Sequence, residues 1–222
     1  MSIWTSEVGS NLSVAARAAG ALLLLVAAAT QAAAAPSQST AQSQRPAASK
    51  VSVSEPAVVI TGPSGYCIDV DASRQRGTEA FVLLGSCAAI TQDPGLREPE
   101  VRAVLTATVS GLGEGYTIAQ SLPVLDRFFR SEDGLRVLSR DGRSETVEVL
   151  ETRSEGSVFY VRSRDTGTRT APELGEDYWR AFFDVDGHII SATVAGTRQQ
   201  PVAERDSFAV LKSFVGKISH AN

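Results

Sequence analysis

Two histidines, His188 and His220, are all the imidazole in the chain. A nucleophile–His–carboxylate triad needs one of them beside a Ser or Cys and oriented by an acid. His188 follows Asp184-Val185-Asp186-Gly187, so acids are close in sequence. Asp-Gly is also the dipeptide of a tight hairpin turn, and a polar residue flanking such a tip is expected to be solvated rather than catalytic. Ser64 stands in GPSG, which lacks the G-x-S-x-G spacing of a nucleophile elbow. Asp69-x-Asp71 and Asp184-x-Asp186-Gly187 begin like calcium loops, but Ser191 and Thr193 stand where a closing Glu is wanted. Gly111-Leu112-Gly113-Glu114-Gly115 misses the G-x-G-x-x-G spacing, no Lys follows it, and Glu114 would repel a phosphate. Cys67 and Cys87 are far from Cys-x-x-Cys spacing and have no nearby His, so neither a redox pair nor a zinc set is complete. No catalytic residue, metal or cofactor is therefore assigned. A carboxylate pair acting across a cleft stays open, because such pairs are defined in space and not in sequence.

The strongest binding candidate is Tyr178-Trp179-Arg180-Ala181-Phe182-Phe183. As a strand it puts Tyr178, Arg180 and Phe182 on one face, with the guanidinium placed to stack on the rings. The thirteen residues before it, 165–177, show neither helical nor strand period, and long loops in compact domains are often functional. An exposed aromatic–Arg face beside that loop is the expected binding face. The alternative is the same face covered by a helix.

These residues must be positioned by a β-rich domain. Residues 66–70 and 80–87 read as two strands around a polar loop at 71–79, with a Cys on each. The second, AFVLLGSC, is continuously apolar and predicts burial on both faces. A disulfide between Cys67 and Cys87 is expected. Val58-Val59-Ile60 and residues 101–109 are further strands. Ser121 predicts a helix N-cap with Pro123 in the first turn, and Leu122, Leu125, Phe128 and Phe129 form its apolar stripe up to Gly134. A β-meander then follows, with strands at 135–140, 143–153, 157–164, 178–185 and 188–196 joined at Asp141-Gly142, Ser154-Glu155-Gly156 and Asp186-Gly187. A last helix, opened by Pro201, carries Phe208, Leu211, Phe214, Val215 and Ile218 inward. The fold class is α+β, an antiparallel sheet of about five to eight strands packed by two helices.

The N-terminus reads as an export signal. Arg17 precedes an apolar run at 18–29, and Ala32-Ala33-Ala34 fits a signal-peptidase site. The run is short for a membrane span, so the membrane is engaged only through this signal, cleaved or retained. Residues 35–55, rich in Ser, Gln, Ala and Pro, read as a flexible linker, and 56–222 as a single domain. The formal net charge of −4 and the interleaving of arginines with acids argue against nucleic acid as a partner.

The run GYCIDVDASRQRGTEAFVLLGSCAAIT resembles a pattern of uncharacterised exported bacterial proteins. YWRAFFDVDGHIISATVAG followed by a helix resembles the end of the PsbP/Mog1-like α+β fold. That resemblance implies a binding or assembly role. The function expected is an exported, periplasmic, non-enzymatic domain that binds or helps assemble another cell-envelope component. The alternative is a small hydrolase or small-ligand carrier using the cleft near residues 165–177.

Overall fold

A computed structural model describes residues 48–112, 115–167 and 171–222. The expected signal at 1–34 and most of the linker, 35–47, lie outside the described residues. Nine strands and four helices are formed among them: β1 (Lys50–Val53), β2 (Val58–Thr61), β3 (Tyr66–Arg76), β4 (Glu79–Ser86), α1 (Cys87–Thr91), β5 (Val104–Leu112), α2 (Ile118–Phe129), α3 (Glu132–Leu138), β6 (Val147–Glu155), β7 (Val158–Asp165), β8 (Leu174–Val185), β9 (His188–Thr197) and α4 (Glu204–Ala221). Strands β3 to β9 build one antiparallel sheet in the order β3-β4-β5-β9-β8-β7-β6. Strands β1 and β2 pair as a separate hairpin. The α+β class is the one the sequence predicts.

Alternation along the strands gives the sheet two unlike faces. On the inner face Val82, Leu84, Leu105, Ala107, Val109, Trp179, Ala181, Phe183, Ile190, Ala192 and Val194 are buried beneath α4 and the β1–β2 hairpin. All five apolar residues expected to face inward from α4 do so. On the outer face α2 and α3 cover only the β6–β8 half, through a second core of Ile118, Leu125, Phe129, Leu138, Val147, Phe159, Val161 and Phe182.

Several local expectations are corrected. The polar stretch 71–79 is not a loop: β3 runs to Arg76 and turns at Gly77, whose φ is +59°. Its polarity reflects an edge strand with wet sides. An irregularity between Asp69 and Arg74 is closed by side chains. Asp69 Oδ1 accepts the Asp71 and Ala72 amides, and Ser73 Oγ accepts that of Leu83. Strand β4 is buried on one face only, because among the described residues no helix lies over Phe81 and Leu83. The domain begins earlier than residue 56, since Lys50–Val53, inside the expected linker, pairs with β2.

The helix expected from Ser121 starts at Ile118. Thr117 caps it: Thr117 Oγ1 accepts the Gln120 amide at 3.2 Å, and Gln120 Oε1 accepts the Thr117 amide at 3.1 Å. Pro123 thus falls inside the helix. Residues 135–140 are not a strand but largely α3, which opens at Ser131 with Glu132 and Asp133 in its first turn. Gly134 does not end a helix. It lets α3 approach α2, because a Cβ there would collide with the Phe128 carbonyl and the Phe129 Cα. The Asp141-Gly142 turn therefore leads from α3 toward β6 rather than joining two strands. At Asp186-Gly187 the expected hairpin is present, with φ of +48° and +82°.

Candidate functional site

The Tyr178–Arg180–Phe182 face exists as one face of β8, but it is not exposed. Its alternative, cover by helices, holds. Tyr178 is 2% exposed, and its hydroxyl donates to the Leu138 carbonyl at 2.6 Å. Burial raises the Tyr178 pKa, so the hydroxyl stays a donor. Phe182 lies under Phe129, ring centroids 4.6 Å apart. Arg180 alone reaches the solvent edge, half-buried. Its Nε donates to Thr193 Oγ1 at 3.0 Å and its Nη1 to the Val137 carbonyl at 2.9 Å, at the C-terminal end of α3. The guanidiniums of Arg140 and Arg180 stand 5.0 Å and 5.3 Å from the Tyr178 ring centroid. The stacking anticipated for Arg180 is thus made on Tyr178.

His188 is not a solvated turn residue. It is fully buried at the junction of four segments. Its Nδ1 donates to the Ser110 carbonyl at 2.9 Å, while Nε2 lies 3.3 Å from Ser54 Oγ and 3.2 Å from the Pro56 carbonyl. A Ser–His pair is thereby assembled. The Ser54 hydroxyl, however, donates to the Thr78 carbonyl at 2.9 Å, away from the imidazole, and the pair faces none of the described cavities. An activated nucleophile needs its proton on the base and a path for substrate. The arrangement is a polar clasp inside the fold.

Two of the acids considered for calcium are engaged elsewhere: Asp184 Oδ2 accepts the Ile118 amide at 2.8 Å and Asp69 serves the β3 irregularity. Among the described residues no three His, Cys, Asp or Glu gather as a metal-binding group. Cys67 and Cys87 form the expected disulfide, joining β3 to the first residue of α1.

Beside the 165–177 segment, residues 168–170 of which lie outside the described ones, is a depression of about 550 Å³ lined by Arg164, Gly175, Glu176, Asp177, Gly196 and Arg198 among others. Neither Ser nor His lines it. Asp177 is held below the usual carboxylate range by its hydrogen bond to Arg164, which disqualifies it as a general acid near neutrality. Asp165 is buried, its oxygens accepting the Arg140 and Gly167 amides at 2.8 Å each.

Among the described residues, no helix packs on the outer face of β4, β5 and β9 beyond α1 at the Gly85 end and the α2 core that Ile189 reaches at the start of β9. Cross-strand register arranges it in rows. One runs Leu83, Thr106, Thr193, Arg180, and the next Phe81, Thr108, Ser191, Phe182. Thr108 and Ser110 are exposed, and Phe81, Leu83, Thr106, Ile189, Ser191 and Thr193 are half-buried. At the β3–β4 end the face runs into a cavity of about 550 Å³ lined by Arg74, Arg76, Glu79, Phe81, Thr108 and Ser110 among others. On α2 and α3, Val124, Phe128 and Val137 are exposed. Sequence reasoning reached Arg180 but missed this face. The signal was present in the Thr-x-Thr of β5 and the Ser-x-Thr of β9, hydroxyls alternating with buried alanines and valines.

The architecture is an α+β domain with a half-covered antiparallel sheet. No protein-family model, curated protein or solved structure matches the chain.

Proposed function

We propose that this chain is an exported, non-enzymatic domain that binds, or helps assemble, a protein of the cell envelope, and that it does so through the outer face of β4, β5 and β9. The observation carrying the reading is the mixed surface itself. Phe81 and Leu83 alternate with the hydroxyls of Thr106, Thr108, Ser191 and Thr193, and among the described residues no helix packs over this pair of apolar side chains. Such a surface offers apolar area with a polar register, the composition of a partner-facing patch. The signal-like N-terminus and the disulfide support an oxidising compartment.

A photo-crosslinking amino acid at Thr108, in the full chain in cells, tests the reading against one at Lys217 on α4. The expected result is a discrete protein adduct from Thr108 and none from Lys217. Equal yields from both, or no adduct from Thr108, would rule this face out.

A further inference from the structure

The two faces of the sheet treat their arginines differently. On the inner face Arg164 pairs with Asp177 at 2.8 Å, Arg162 with Glu204 at 2.6 Å, and Arg153 with Glu151. On the other side of β8, among the described residues, neither Arg180 nor its neighbour Arg140 forms an ion pair, and Arg198 forms none either. Their hydrogen bonds go to neutral acceptors: Thr193 Oγ1 and the Val137 carbonyl for Arg180, the Gly175 carbonyl for Arg140. Asp165, the carboxylate acting on Arg140, is buried and occupied by two backbone amides. Burial, aided by repulsion from Arg180 and Arg198, pulls the Arg140 guanidinium below its usual range. Of the groups acting on Arg140, the Arg180 and Arg198 guanidiniums oppose its charge, and the Asp165 carboxylate and the Tyr178 ring favour it.

A guanidinium carries five N–H donors in a planar fork. Arg180 spends two of them on the described residues, and those two fix the plane of the group. The group is half-buried at the end of the Leu83–Thr106–Thr193 row, which leads directly onto the open face. A fork already oriented, and without an ion-pair partner among the described residues, is pre-organised for a planar, bidentate acceptor.

We infer that Arg180, oriented by Thr193 and reinforced by Arg140, is a carboxylate subsite of the outer face, taking an Asp or Glu side chain of the partner protein. This rests on the proposed use of that face for docking. The partner is thereby given a chemistry: a segment presenting one acid beside apolar residues that lie on Phe81 and Leu83.

Two measurements separate the two ideas. The first uses sodium acetate as the probe and follows the Arg180 and Arg140 Nε–H signals and the Thr193 amide by NMR in the wild-type protein. Saturable shifts are expected with acetate and not with sodium chloride at equal ionic strength. Failure of acetate to differ from chloride overturns the subsite, whatever any variant does. The second measures the Thr108 adduct in cells carrying Arg180→Gln or Thr193→Val, each first shown folded by circular dichroism. A charge-assisted bidentate contact predicts a roughly tenfold or greater loss of capture in Arg180→Gln. Full capture by folded Arg180→Gln overturns the subsite and leaves the docking face standing. Acetate-specific shifts without any Thr108 adduct leave Arg180 a carboxylate-binding group but overturn the docking face and with it the assignment of the acid to a protein partner. Should Arg180→Gln unfold, Thr193→Val, which keeps the charge but removes the hydroxyl that orients it, takes its place.

Discussion

Phe129 stacks on Phe182 with ring centroids 4.6 Å apart and on Phe159 at 5.4 Å, so one side chain of α2 roofs two neighbouring strands. This contact decides which half of the outer face is core. Phe129→Ala removes it, and large-to-small changes at buried aromatics cost about 3–5 kcal/mol. The expected result is a fall in unfolding free energy of that size by urea titration, with binding of an apolar dye as α2 loosens. A loss below about 1 kcal/mol would mean that α2 is not held by this aromatic stack.

His188 joins β9 to the Ser54–Pro56 segment, to the end of β5 and, through Ser54, to the β3–β4 turn. His188→Leu keeps much of the volume but removes the ring partner of the part-buried Ser110 and Pro56 carbonyls and of the buried Ser54 hydroxyl. An unsatisfied buried polar group costs about 1–3 kcal/mol. Chemical denaturation is expected to show a loss of about that size or more. Hydrogen exchange should speed first in Val58–Thr61 and at Thr78. Full stability in His188→Leu would show that the clasp contributes nothing.

What the sequence made legible follows from what each residue answers to. Alternation and Asp186-Gly187 are local properties, so β9 and its hairpin were readable, as was the apolar stripe of α4. The Thr117-Ile118-Ala119-Gln120 box was equally local, yet Pro123 drew the helix start toward Ser121. Residues 135–140 alternate well enough for a strand. They become helical because Ser131 caps them and Gly134 lets them fold against α2, a tertiary choice. The site was harder. Tyr178, Arg180 and Phe182 do share a face, but which half of that face stays open depends on where α2 lands, and no residue of β8 encodes that. His188 was misplaced for a similar reason: the segment that buries it, Ser54 to Pro56, comes from more than a hundred residues away.

The Cys67–Cys87 disulfide closes a segment of 20 residues that the β3–β4 pairing also closes. Chain-entropy arguments assign roughly 3 kcal/mol to a loop of this length. A Cys67→Ala/Cys87→Ala double variant is expected to lose about that much in equilibrium unfolding. Wild-type protein denatured without reductant should present no free thiol, whereas two reactive thiols per chain would mean that the bridge is not formed in the protein as made.

The last prediction concerns acid. Asp177 is held below the usual carboxylate range, first by its hydrogen bond to Arg164, with Coulombic attraction from Arg164 and a bond from Arg162 adding to it and burial opposing. A carboxylate whose folded pKa is depressed contributes stability that is fully present above its unfolded pKa. That contribution is lost as pH falls through the folded value. Protonation would release the clamp that ties β7 to β8, and through Arg162 to Glu204 at the start of α4. Asp177→Asn is therefore expected to be less stable than wild type at pH 7, with the difference shrinking between about pH 5 and about pH 2. Because the pair is largely solvent-facing, 1 M salt should reduce the difference as well. Urea midpoints at stepped pH check both effects. A gap between wild type and Asp177→Asn that stays constant down to about pH 2 would show that the effect of Asn is steric and that the Arg164–Asp177 pair carries no ionic stabilisation.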